Sequence, residues 1–252
     1  MEKVISVITV VFNSVNLIEN TIKSIVNQSY LLKEVVVVDG GSTDGTKEII
    51  ERYRDKIDQY ISEPDKGLYD AMNKGLNLAT GNYVIFINSG DLLKENILSR
   101  IFEQHDPSVD VFYGETDLIN ETGQVLGTRS ALTTRKLPVA LTWKSMIKGM
   151  VVSHQSFIPK RSLAPEYQLQ YKCSADIDWV ITCLKRSKKN QNVQGIISEY
   201  LIGGFSIKNQ KRCWKERFQV YQKHYGWIPT LIAHFYIVVR AMYYKIAGKE
   251  NY

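Results

Sequence analysis

Four polar residues recur at one kind of position in this chain. Asn13, Asp39, Asp65 and Asp91 each lie just beyond a short apolar run: Val4–Phe12, Glu34–Val38, Gln59–Ser62 and Tyr83–Ile87. Runs rich in β-branched and aromatic residues suit strands buried on both faces of a parallel sheet. In open α/β sheets, ligands collect outside the carboxyl ends of the strands. A single Asp there is ordinary, because its side chain bonds the local backbone of a turn. Four such placements on one rim are hard to assign to turn chemistry alone and point to a ligand site.

The elements that must position them alternate. After Asn13, residue Asn16 with Glu19 three positions on resembles a capping box. Ile18, Ile22, Ile25 and Val26 behind it keep helical spacing. A second helix carries Ile49, Ile50 and Tyr53, and a third carries Leu68, Ala71, Met72, Gly75, Leu76 and Ala79. Strand and helix in strict alternation imply a Rossmann-like α/β fold with a doubly wound, mostly parallel sheet. Past Asp91 the pattern loosens. Val109–Tyr113, Asp117–Ile119, Gln124–Leu126, Ser153–Ile158 and Ile196–Ile202 read as strands, the last running into a Gly203–Ser206 turn. Asp176 opens a helix, and residues 127–150 are basic and irregular.

The chain has 252 residues, 44% hydrophobic and 23% charged, which is ordinary for a globular protein with a normal core. A net charge of +6 favours an anionic partner. Three cysteines without CxxC spacing fit a reduced, cytoplasmic compartment. The junction Phe12-Asn13-Ser14-Val15-Asn16 holds no glycine, so the G-x-G-x-x-G dinucleotide fingerprint is absent, as is the P-loop.

Together, Ile5–Asn13, Val38–Thr46 with its Asp39-Gly40-Gly41-Ser42-Thr43-Asp44-Gly45 core, Gly67–Gly75 and Asn88–Asp91 resemble the inverting family 2 glycosyltransferases. The likeness is strong over residues 4–95 and looser to about 210. The block Glu63-Pro64-Asp65-Lys66-Gly67-Leu68-Tyr69-Asp70-Ala71-Met72-Asn73 is similar to bacterial enzymes that build surface polysaccharides. The resemblance implies a GT-A fold, a nucleotide-binding half over about 1–95, an acceptor and catalytic half over about 96–207, and a helical tail over 208–252. It implies a metal-dependent hexosyltransferase that uses a UDP-sugar and a saccharide or lipid-linked saccharide acceptor. By position, Phe12 and Asn13 would border the base, Asp39 would accept the uracil N–H, and Asp65, Lys66 and Asn73 would complete the donor-nucleotide site. Asp91 would bind Mn²⁺ or Mg²⁺, and Asp176 would be the catalytic base, with Asp178 competing for that role. Asn88, His154, Gln155, Asp178 and Trp179 would contact the donor or acceptor sugar.

The chain departs from the family pattern where Asn88 and Gly90 replace earlier acids of the D-x-D-like motif, and where Met72 stands in place of an Arg. A catalytically degenerate sugar-nucleotide-binding protein is therefore the alternative. Nucleic acid is not an expected partner, because the basic residues crowd the tail rather than the rim. There Lys208, Lys211, Arg212, Lys215, Arg217 and Lys223 accompany Trp214, Phe218 and Tyr221 ahead of an apolar stretch, Leu231–Val239. Basic residues beside aromatic and aliphatic ones suit a helix at an anionic membrane interface, which implies peripheral attachment at the inner face of the cell membrane.

Overall fold

The computed structural model describes residues 4–103, 105–203 and 210–246. Its first layer is a four-stranded parallel sheet. Strand β1 (Ile5–Val11) leads through helix α1 (Ile18–Val26) to β2 (Lys33–Asp39). Helix α2 (Thr46–Glu51), β3 (Gln59–Ser62), helix α3 (Leu68–Leu78) and β4 (Tyr83–Phe86) follow. The spatial order is β3-β2-β1-β4, every neighbouring pair parallel. The order reverses beside β1, so the crevice past the ends of β1 and β4 is the switch point at which such sheets bind ligands.

Side-chain parity explains why the strand sequences are apolar throughout. Successive residues of a strand face opposite sides of the sheet. Ile8, Val10, Val36 and Val38 join one core cluster with α3, while Ile5, Val7, Val35 and Val37 join another with α1. Neither face meets water, and polar side chains are driven to the strand ends.

A second, mixed sheet follows. Its elements in chain order are β5 (Leu92–Leu93), α4 (Ile97–Phe102), β6 (Val111–Ile119), β7 (Val125–Thr128), α5 (Arg129–Leu132), β8 (Phe157–Pro159), α6 (Ala175–Arg186) and β9 (Asn190–Leu201). The order is β5-β9-β6-β7, with β8 on β6 and an antiparallel bridge from Tyr83 to Lys160 joining it to β4. The tail forms α7 (Gln210–Tyr225) and α8 (Trp227–Ile246). Val220, Tyr221, Ala233 and Ile237 enter the same core cluster as β1 and α6, so both helices are layered onto the domain.

Several local expectations change. The two strands expected over 109–119 are one, kinked by register shifts around Glu115. The strand expected at Ser153–Ile158 begins as a 3₁₀ turn, His154–Ser156, in which Ser156 N–H donates to the Ser153 carbonyl. Asn16 does not cap α1, since Leu17 occupies that position and the Ser14 carbonyl takes the first N–H groups. Glu19 turns instead to the Tyr53 hydroxyl, at 2.8 Å, and to Lys23. The turn at Gly204–Ser206, the 207/208 boundary and Lys208 lie outside the described residues.

One buried carboxylate fastens α3 to the sheet. Glu34 accepts from the Ser6 hydroxyl and, at 2.8 Å each, from the Thr80 N–H and hydroxyl. Glu34→Ala leaves these donors without an acceptor in a site only 3% exposed. Losing such a network costs roughly 2–4 kcal/mol, to be read as a lowered urea midpoint at unchanged m-value.

Candidate active site

The rim past β1, β2 and β3 is built by side chains that bind one another's loops. Asn13 adopts φ +46°, its N–H donating to Ser42 Oγ at 2.8 Å while its Oδ1 accepts from Thr43 N–H at 2.9 Å. Asp39 is fully buried and accepts from Ser42 N–H and Oγ, Gly41 N–H and the Ser62 hydroxyl at 2.6 Å. Its first task is to shape the turn, leaving a base only a shared lone pair. Asp65 Oδ1 accepts from Gly67 N–H at 2.7 Å, and its Oδ2 lies against Gly40, where a Cβ would overlap it. The Phe12 ring borders the same point and is 61% exposed, an open aromatic face suited to a base. Asp65 and Phe12 therefore meet over Gly40. Lys66 is exposed beside them, its carbonyl accepting from Lys172 Nζ at 3.3 Å.

Asp91 lies deeper than an ion ligand at an open rim would. It is 5% exposed, with Oδ2 accepting from Gln155 Nε2 at 2.8 Å and Oδ1 from Leu201 N–H at 3.1 Å. Burial pushes its pKa up to about 7, against the pull of those two hydrogen bonds. Gly90, at φ +100°, has Leu201 Cδ2 3.1 Å from where a Cβ would stand. Asn88 Oδ1 is buried and has no hydrogen-bond partner. Among the described residues no group of three or more His, Cys, Asp or Glu forms a metal cage. The unpartnered Asn88 oxygen fits a hard divalent ion that takes most of its shell from phosphate and water. Each oxygen of the Asp91 carboxylate accepts one hydrogen bond and keeps a further lone pair.

Of the two acids opening α6, the structure separates the roles. Asp178 is buried and accepts from Lys223 Nζ at 2.8 Å and pairs with His224 Nε2 at 2.7 Å, so it anchors α7. Asp176 is half-buried, one helical position pair earlier, and Oδ1 accepts from the Tyr69 hydroxyl at 3.1 Å and from Ile177 N–H at 2.9 Å. Burial pushes its pKa up to about 6, the hydrogen bonds of Ile177 and Tyr69 opposing that rise. Tyr69 opens α3, directly after the Asp65–Gly67 loop, so the two halves of the chain meet there.

Three further expectations are corrected by packing. His154 is 4% exposed, bonds the Tyr167 hydroxyl at 2.7 Å and stacks on Phe86, and burial drives its pKa down to about 3. Trp179 is buried, stacks on Tyr167 and donates its indole N–H to the Pro165 carbonyl at 2.8 Å. Asn73 clasps the Tyr167 backbone with both ends of its amide, at 3.0 and 2.7 Å. All three are packed into or against the aromatic wall behind Tyr69. Gln155 holds Asp91, and its Oε1 accepts from Ser153 Oγ at 2.8 Å. Tyr69 was missed as a positioning residue, although it sits inside the Gly67–Gly75 block.

Residues 6–163 match Glycosyl transferase family 2. The chain belongs to that family. It is 27% identical over 219 residues to the putative teichuronic acid biosynthesis glycosyltransferase TuaG of Bacillus subtilis (84% of this chain, 83% of the relative). It is 30% identical over 188 residues to a PGL/p-HBAD biosynthesis glycosyltransferase of Mycobacterium tuberculosis (71% and 68%). The fold is GT-A. S. aureus TarS 1–349 in complex with UDP superposes with TM-score 0.64 at 20% identity, covering 91% of this chain and 65% of that one. Mannosyltransferase PcManGT from Pyrobaculum calidifontis, in complex with GDP-Man and Mn²⁺, gives 0.66 at 17% identity (98% and 76%).

In this family 2 glycosyltransferase, a carboxylate titrating near 6 can act as a base at neutral pH. With Asp176 proposed as that base, kcat/KM for transfer should rise with pH through about 6 as its carboxylate ionises. Tyr69→Phe removes a donor that favours the ionised form. The acidic limb of the pH profile should then move up by about one unit, the equivalent of about 1.4 kcal/mol.

Proposed function

We propose that this protein moves a hexose from a UDP-sugar to a hydroxyl of a saccharide acceptor, lipid-linked, in the synthesis of a cell-surface polysaccharide. The observation that carries it is the Tyr69–Asp176 hydrogen bond. It puts a half-buried acid that forms no ion pair among the described residues beside the helix whose preceding loop holds Asp65 against Phe12 and Gly40. The UDP-bound and GDP-Man-bound structures with the same fold support a nucleotide-sugar donor, and the TuaG and PGL/p-HBAD relatives support a surface-glycan product.

In the reaction, the acceptor O–H proton passes to an Asp176 oxygen as that hydroxyl oxygen attacks the anomeric carbon. The bond from the anomeric carbon to the diphosphate oxygen breaks, and UDP leaves with the electron pair. With base and leaving group on opposite sides of the sugar, a single displacement inverts the anomeric centre. Phe12 offers its ring to the base, Asp39 shares an oxygen with the uracil N–H, and Asp65 and Lys66 flank the ribose and diphosphate. Mg²⁺ or Mn²⁺ carried by the diphosphate would be met by Asn88 Oδ1 and would supply charge stabilisation to the leaving group.

Asp176→Asn should lower turnover of the productive donor and acceptor pair by about 10²–10⁴-fold while UDP affinity stays within twofold. A binding-only protein, the reading that Asn88 and Gly90 favour, would show UDP affinity, no transfer, and no difference between this variant and the wild type.

The tail supports a further element of the reading, attachment to an anionic membrane from the cytoplasmic side. No helix among the described residues is long and apolar enough to cross a membrane. Helix α8 buries Thr230, Ala233 and Ile237 and turns Ile228, Leu231, Ile232 and Phe235 outward, the last 73% exposed. On neighbouring α7, Lys211, Arg212, Lys215 and Lys223 are exposed. An apolar stripe beside basic residues matches a helix lying in an anionic interface. Phe235→Glu should abolish flotation with phosphatidylglycerol vesicles at unchanged melting temperature; wild-type protein that fails to float would end this element of the reading.

A further inference from the structure

Four arginines from separate stretches converge beneath the Trp143–Met150 segment. Arg129, at the start of α5, donates from Nη2 to the Met150 carbonyl at 2.5 Å. Arg240 of α8 brings Nη2 to 3.3 Å from the position a Cβ would take on Gly149. Between them, Tyr221 of α7 is fully buried and donates its hydroxyl to the Met146 carbonyl at 2.6 Å. Arg217 lies one turn before Tyr221 on that helix. Arg217, Arg135 and Arg240 all act electrostatically on the Tyr221 hydroxyl.

This convergence lacks matching negative charge. Among the described residues, none of the four arginines forms an ion pair. Arg217 Nε and Nη2 and Arg240 Nε are buried without a hydrogen-bond partner. The two guanidinium planes are otherwise placed over aromatic rings, Arg217 over Trp214 at 5.1 Å and Arg240 over Tyr236 at 5.3 Å. Among the described residues, the acids acting on Arg129 are Glu115, which accepts from the Ser130 hydroxyl, and Asp176. Burial, then Arg135, drives the Arg129 pKa down to about 9, and burial with Arg217 and Arg240 lowers that of Arg135. Guanidinium groups do not meet such pressure by losing a proton; they meet it by acquiring an anion.

We propose that Arg129, Arg135, Arg217 and Arg240 form a second anion site, distinct from the donor rim, that holds the phosphate or diphosphate of the acceptor. The planar fork of arginine matches phosphate oxygens in pairs. The cluster begins within electrostatic range of Asp176 and ends on α8, the helix that turns its apolar stripe outward. That path fits a molecule with its sugar at Asp176, its phosphates on the arginines and an apolar chain beyond. The assignment rests on the lipid-linked acceptor of the proposed function, and the donor diphosphate has its own place past β1 and β4.

The test is calorimetric titration of the full chain with inorganic pyrophosphate, with and without saturating UDP, repeated with farnesyl diphosphate. Pyrophosphate should bind one to one and stay bound in the presence of UDP. Arg135→Gln and Arg217→Gln should each weaken it at least about tenfold and leave UDP affinity within twofold. Both variants should melt no lower than the wild type in anion-free buffer, since each removes one of several like charges. Displacement by UDP, absence of binding, or unchanged affinity in both variants would overturn the site. Lower melting temperatures with unchanged affinity would do the same and make the arginines purely structural. Tighter binding of farnesyl diphosphate supports the site together with a lipid-linked acceptor. Equal binding of the two ligands supports the anion site and removes the lipid.

Discussion

A buried carboxylate holds the two sheets in register. Asp91 follows β4, yet its oxygens accept from Leu201 at the end of β9 and from Gln155 in the turn before β8. Its carbonyl accepts from Thr21 of α1 at 2.9 Å. The parallel sheet, the mixed sheet and the first helix are thus tied at one point, in surroundings too dry to tolerate a missing partner. Any shift of β9 or of the His154–Ser156 turn is felt at the end of β4, where Asn88 waits with an unpartnered oxygen.

Tyr69 plays the matching part on the other side of the cleft. Its ring stacks on Tyr167 at 5.6 Å, Tyr167 stacks on Trp179, and its hydroxyl ends on Asp176. Aromatic packing of this kind is stiff, so the position of the acid is set by rings well behind it. The same wall engages His154 through the Tyr167 hydroxyl and the Asn73 amide through the Tyr167 backbone.

The sequence revealed what depends on local pattern. Apolar runs with polar ends located the rim, because strand parity buries both faces and leaves only the ends for Asn13, Asp39 and Asp65. It could not show which polar side chains would be claimed by partners far along the chain. Asp176 and Asp178 are alike in sequence, and only the arrival of Lys223 and His224, 45 and 46 residues on, separates them. Residues 127–150 resisted assignment for a related reason. Arg135 within them lies in the electrostatic range of Arg217 and Arg240, which come from helices far later in the chain. Family membership narrowed the chemistry, and side-chain packing then redistributed the individual roles.

Gly90 carries a consequence for how this site can change. Its left-handed backbone and the approach of Leu201 Cδ2 to 3.1 Å of a Cβ position strain any side chain placed between Ser89 and Asp91. An acidic residue there would have to hold a backbone conformation that L residues rarely adopt and press the Leu201 side chain aside. The N–H of Leu201 itself is one of the two donors that secure Asp91, so a substitution in this turn is transmitted to the end of β9.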